Sequence, residues 1–569
     1  MSNEPMINRK RKRFYEFFTR KKLLIIILVL AVYLVILSLI FVPLQGGLIS
    51  STELNPPTGQ QDTSEIGSTL GAYVSSVLIA FFMLSHTLLA NLQLGGSWIA
   101  VATESFYLKN NKARFKRIAR SVTLLNVMLF SLGTTFATAG VVFFIVFTPS
   151  LTTNLFHIFF WPLLIEAILF ATQIAFLFIY WFSWDKIKPK WHQTIGYGFC
   201  FSVFIQTLMI TMVGAAMLTP GESSIDYSGN GTFTMDIGTL LAWWFNPTTL
   251  TLMIHRLFGA ISFVGFILAM LAMFHYKDQK DLASKKYWDW IGSYGIAWGL
   301  FGLIFQPIFG MINSLAIQDA SPGAFSMIMQ GPRAWEMLLM VSLLSALFLT
   351  VIVYFIDRRE QILTREEYAT IRKLFNIFLI VAAICAFIVV QPSWLFGTYS
   401  TDPTSWINPF GLMILKYPAI FTLVIIGALV LMINTIMLGD IKESEWGNLT
   451  NTSRYAGILT GIFGMWIIIT MGYVRESARA PDLIYGIISM PNTTNNLTPI
   501  PIDRIFIVWG LILLTIIIVF WITSKVTAHH PESAEELDST KEYAIEEDVM
   551  QDAGTLLEKT GGKDNDKQD

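Results

Sequence analysis

The chain has 569 residues, of which 54% are hydrophobic and 14% charged, with a formal net charge of −1. A soluble domain carries about 25% charged residues, and here apolar runs of about 20 residues recur along the chain, which excludes a soluble enzyme, a disordered chain and a nucleic-acid binder. The mean hydropathy of +0.56 indicates an all-α, polytopic transmembrane helix bundle, since helices satisfy every backbone polar group within lipid.

A basic N-terminus leads into an apolar run at 23–43. That run is too long for a signal-peptide core, so an anchor helix is predicted. Eleven more spans are predicted at 74–105, 121–148, 154–184, 193–218, 248–276, 288–316, 333–356, 373–396, 408–439, 455–475 and 502–524. The two cysteines, Cys200 and Cys385, both lie inside apolar runs, so neither a disulfide framework nor a cysteine metal site is expected.

Orientation follows from the basic residues. Of the 39 Lys and Arg, all but Arg256, Arg333, Lys416, Arg475, Arg479 and Arg504 fall at the N-terminus, in the tail, or in 106–120, 185–192, 277–287, 357–373 and 440–454. The alternate loops 44–73, 219–247 and 397–407 hold none. The positive-inside rule therefore predicts twelve spans with both termini cytoplasmic. Asn230-Gly-Thr and the segment 492–498 carry sequons on the predicted outer side, and the acidic tail 529–569 reads as disordered.

Ionisable residues inside a membrane are costly and usually face the bundle interior. They are His86, Glu166, His255, Arg256, Glu336 and Glu476, with Glu104 near the inner end of its span. On the predicted orientation His86 and Glu166 lie about 16 Å in from the outer side, and His255 and Met340 about 10 Å. Glu476 ends a span that runs outward. The candidates thus gather in the outer half. Of seven histidines, His192, His275, His529 and His530 are assigned to the solvated cytoplasmic side, and His157 to an outer helix end. Two deep imidazoles without cysteine partners suit haem axial ligation better than zinc. The competing reading is a pair of core histidines bonded to neighbouring helices. Met340, one of 23 methionines, equally suits packing.

Several stretches resemble subunit I of the cytochrome bd quinol oxidases. Ser85-His-Thr-Leu-Leu-Ala-Asn is similar to that family's first helix, with its haem-ligating histidine. Trp161-Pro-Leu-Leu-Ile-Glu166 and Trp184-Asp-Lys resemble the start and end of its third helix. Asn246-Pro precedes His255 at the family's spacing, and Glu476-Ser-Ala-Arg479-Ala-Pro481 resembles its Glu-x-Gly-Arg-Gln-Pro-Trp signature. The departures are equally specific. The span at 23–43 and the pair between 357 and 454 are extra, the outer loop before the methionine helix shrinks to about 317–332, and Gln173 stands near the family's second acidic residue.

The resemblance implies a division into 1–73 (N-terminus, anchor and outer loop), 74–356 (haem-binding bundle), 357–454 (inserted helix pair), 455–524 (last two helices) and 525–569 (tail). It implies a multi-pass cell-membrane protein with a second membrane subunit, taking electrons from quinol and reducing dioxygen. It also implies a low-spin haem b on His255 and Met340, with Met337 as the rival sulfur. Two further haems, b and/or d, would lie near His86 and Glu476, with Glu166 as proton carrier or sixth ligand. Arg256 and Arg479 would meet haem propionates. Two other functions fit the bare sequence: a haem electron-transfer subunit without oxygen reduction, and a solute or proton transporter.

Overall fold

The computed structural model describes residues 72–220, 226–227, 233–234, 237–329, 335–359, 366, 369–390, 413–437, 446–480, 482–489 and 502–528. The predicted anchor at 23–43, the sequons and the acidic tail lie outside them.

The predicted spans that fall within the described residues appear as helices, several opened by proline, whose missing N–H costs nothing in a first turn. In chain order they are α1 Ala72–Asn110, α2 Ala113–Phe147, α3 Pro149–Ile158, α4 Phe160–Phe182, α5 Pro189–Leu218, α6 Ile237–Trp244, α7 Pro247–Asp278 and α8 Leu282–Ala320. There follow α9 Pro322–Met329, α10 Trp335–Arg358, α11 Ala369–Val390, α12 Met413–Met437, α13 Asn451–Arg479 and α14 Ile502–Ala528. Two short antiparallel hairpins, Asp226–Tyr227 with Phe233–Thr234 and Asp482–Ile484 with Ile488–Ser489, sit in connections. Among the described residues ten helices are long and apolar enough to cross a membrane, so the chain is an all-α integral membrane protein. In α14 the qualifying apolar stretch, Gly510–Ile522, is shorter.

The span predicted at 154–184 is two helices. The chain breaks at Phe159 (φ −102°, ψ 24°), which ends α3 and starts α4. Glu166 therefore lies only about 9 Å into α4, shallower than its place in one continuous helix. The Asn-Pro motif is a helix start. Asn246 Oδ1 caps α7 by accepting from Thr248 N at 2.9 Å, and Pro247 opens the first turn.

α7 occupies the centre, packed on α1, α5, α8, α13 and α14. Its apolar window is 72% buried, against 17% for α2 and α4. The close approach depends on small residues, as is usual between membrane helices. A Cβ on Gly265 of α7 would lie 2.2 Å from Gly299 N of α8, and one on Gly95 of α1 would lie 2.2 Å from Ala260 O.

α11 and α12 pack on each other and on α10, and α12 packs also on α8. The C-terminal end of α10 is tied down by a buried bidentate pair, Arg358 Nε and Nη2 to Asp289 Oδ1 and Oδ2 at 2.9 and 2.6 Å. Gly447 N also donates to Asp289 at 2.8 Å, and Arg359 Nε to Asn434 Oδ1 at 3.0 Å. Lys416 is buried, with its Nζ on the Val389 carbonyl at 2.8 Å.

Candidate functional site

His86 is half-buried on α1, and its Nδ1 is 3.0 Å from Gly133 O of α2. A carbonyl only accepts, so the proton is on Nδ1 and the Nε2 lone pair is free. A carbonyl bonded to the far ring nitrogen prepares a histidine to bind metal in this way. The Arg256 guanidinium of α7 is close enough to act electrostatically on the ring.

Arg256 belongs to a group of half-buried arginines. Its Nη1 donates to Thr211 Oγ1 at 2.9 Å. Arg475, within electrostatic reach of both Arg256 and Arg479, donates Nη2 to Gly214 O. Arg479 Nη1 donates to Leu483 O at 2.9 Å, while its Nε is buried without a hydrogen-bond partner. The acceptors are all neutral, and the carboxylate acting on Arg479 is Glu476, half-buried in the last turn of α13. Beside it, Ser477 Oγ donates to buried Glu336 of α10. The α1–α13 contact closes this neighbourhood: a Cβ on Gly472 would overlap Leu84, two residues before His86.

The structure thus brings together His86, Arg256, Arg475, Glu476 and Arg479. Glu166 stands apart on α4, half-buried beside Gln206 of α5. His255 shares α7 with Arg256 but faces α8. Its Nδ1 is buried with no hydrogen-bond partner, and Gly310 keeps space beside the ring. Gln306 Nε2 donates to the His255 carbonyl at 2.7 Å. Met340 and Met337 are half-buried against the cluster containing Leu338 and Val341, whereas Leu339 faces the cluster lined by Leu257.

Two histidines depart from expectation. His192 is 3% exposed, not solvated. Its Nδ1 lies 2.6 Å from Glu104 Oε1 and its Nε2 3.0 Å from Tyr180 O, and its ring packs on Trp184 at 4.1 Å between centroids. Tyr180 Oη donates to the other Glu104 oxygen at 2.7 Å. His275 is buried too, stacked on Trp288 at 4.2 Å. His192 follows, and His275 precedes, a run of basic residues in sequence, but the helices extend past the apolar runs and bury these positions against neighbours. Sequence reasoning also passed over Arg475. The available signal was its place one turn before Arg479, adjoining Glu476.

Residues 74–331, less than half of the chain, match the family described as cytochrome bd terminal oxidase subunit I, and over that stretch the chain resembles that subunit. No curated protein matches. Among solved structures, the bd oxidase from Geobacillus thermodenitrificans is 16% identical, covering 71% of this chain and 97% of its own, with a TM-score of 0.41.

Proposed function

We propose that the chain is the haem-carrying subunit of a membrane quinol:oxygen oxidoreductase of the cytochrome bd type, oxidising quinol near the outer face and reducing dioxygen to water. The observation that carries this reading is the arginine group beside His86. Three half-buried guanidiniums bonded to neutral acceptors leave positive charge inside a membrane, and anionic cofactor groups would neutralise it. Haem propionates have the planar two-oxygen geometry that guanidinium matches.

The individual residues fit haem as well. His86 offers Nε2 with its tautomer fixed by Gly133. His255 keeps a buried ring nitrogen without a partner, which costs about 1–3 kcal/mol unless something binds in its surroundings. When bound, haem supplies the iron that carries electrons and reduces oxygen. His255 and Met340 would hold the low-spin haem b. His86 and Glu476 would hold two further haems, b and/or d. Arg256, Arg475 and Arg479 orient propionates, and Glu166, reached across α5 through Gln206, holds or moves a proton.

We further infer twelve spans with both termini cytoplasmic, in a cell membrane. The exposed apolar side chains of α4 and α5, such as Trp161, Ile168, Phe182 and Trp191, suit lipid and a second membrane subunit. A visible spectrum of the purified protein, with and without carbon monoxide, tests the reading. High-spin haem that binds carbon monoxide is expected. Low-spin haem alone would favour an electron-transfer subunit, and no Soret band would favour a transporter.

A further inference from the structure

Reduction of one dioxygen to two waters consumes four electrons and four protons. Two quinols supply the electrons and release their own four protons near the outer face. The four protons consumed must then reach the His86 site by another route. Glu166 lies on the far side of α5, so α1 is the helix that joins that site directly to the opposite face.

The polar residues of α1 are aligned. His86, Gln93, Ser97 and Glu104 are separated by seven, four and seven residues. At about 100° per residue all four lie within about 20° of one line. The full separation of eighteen residues is five turns, about 27 Å. Gln93, Ser97 and Glu104 are buried. α2 runs alongside and matches two of these levels: Gly133 O accepts from His86, and Asn126 O accepts from Gln93 Nε2 at 2.5 Å. At the inner end Glu104 is held by His192 and Tyr180. Trp184 packs on His192 and adjoins Asp185, which pairs with Lys116 at 2.5 Å and lies exposed. Thr123 of α2 lies beside Tyr180, and Ser97 beside Cys200 of α5.

The middle of this line is incompletely satisfied. Gln93 Oε1 and Asn126 Nδ2 are buried without hydrogen-bond partners, and so is Ser85 Oγ beside His86. Gln93 is 6% exposed and Asn126 2%. A purely structural interhelical bond would use Gln93 Nε2 and leave no need for a second, unpaired amide beside it. Buried polar atoms of this kind are where internal water sits.

We propose that α1 carries protons from the inner face to the His86 site, through the Glu104–His192–Tyr180 cluster and a water file held by Ser97, Gln93 and Asn126. Glu104 accepts a proton from water at the inner side and passes it to the file, then takes the next proton from the same side, while His192 and Tyr180 hold its carboxylate in place. The amides anchor water and do not themselves exchange the proton. This inference rests on the oxidase reading.

The test uses the full-length protein with its partner subunit in lipid nanodiscs. A high-resolution electron-density map of the wild type should show water within hydrogen-bond distance of Gln93 Oε1 and Asn126 Nδ2. Gln93→Leu and Glu104→Gln should each lower oxygen turnover ten-fold or more, with quinol KM and the haem spectrum unchanged and the solvent isotope effect raised. Asn126→Ser, which still binds water, should retain most turnover, while Asn126→Leu should not. A dry gap between Gln93 and Asn126 overturns the route, as does wild-type turnover in Gln93→Leu with full haem. Water at both amides in a protein that binds haem but consumes no oxygen overturns the oxidase reading instead.

Discussion

A Cβ built on Gly310 of α8 lies 3.2 Å from Cε1 of His255 on α7. The glycine therefore sets the room available to that ring. Gly310→Ala should be tolerated with a small shift of the low-spin haem band, because the ring can give by a few tenths of an ångström. Gly310→Leu should displace the ring and lose that band while the other haems remain. His255→Ala should lose it outright. An unaltered spectrum in Gly310→Leu would remove His255 from the ligand set.

His86→Ala and Glu476→Ala should each lower oxygen uptake by at least about 100-fold, the upper end of what losing a mere hydrogen-bond partner of a metal ligand costs. Haem content should fall, and the His255 haem should still be reduced by quinol. Full haem and full uptake in Glu476→Ala would reduce that residue to a helix-end carboxylate.

Arg475→Gln should lower the midpoint potential of the nearest haem. A nearby positive charge favours the reduced state, so its loss disfavours reduction. At an effective dielectric of about 20 and about 8 Å, one charge is worth about 2 kcal/mol, or about 90 mV for a one-electron couple. Redox titration measures the shift, and a rise in potential would contradict the propionate role.

The Asp289–Arg358 pair joins α8 to α10 away from the site. Arg358→Leu leaves a buried carboxylate unpaired and should cost about 3–5 kcal/mol, seen as a lowered thermal transition in detergent. Adding Asp289→Asn should recover part of that loss. A single variant as stable as the wild type would show that the pair contributes little.

Asp281 caps α8, accepting from Ser284 N at 2.8 Å, and these bonds from Ser284 hold its carboxyl below the ordinary range. Its contribution is complete above the unfolded value of about 4 and is lost as pH falls through the lowered folded value. Asp281→Asn also caps and should remove this acid dependence with little change near neutral pH. Thermal melts between pH 3 and 7 would reveal it, and identical acid profiles would rule it out.

Helix identity, and the expectation that costly residues face inward, were legible in the sequence because both follow from local rules. A run of about 20 apolar residues must be a helix in lipid. His86, His255 and Glu476 are conspicuous because ionisable groups are rare there. What tertiary structure decided depends on neighbours distant in the chain. Phe159 breaks an apolar run that hydropathy reads as continuous, placing Glu166 nearer a helix start and behind α5. His192 and His275 sit beside basic loops, so charge counting assigns them to water. Only the packing of α1, α4 and α5 puts His192 against Glu104 and Tyr180, and only stacking on Trp288 buries His275. Arg475 reads as one more helix-end cation until α5 and α7 bring Gly214 and Arg256 to it. Periodicity determines which residues share a helix face, but which other helix that face meets is set by interhelical contacts that no local pattern encodes.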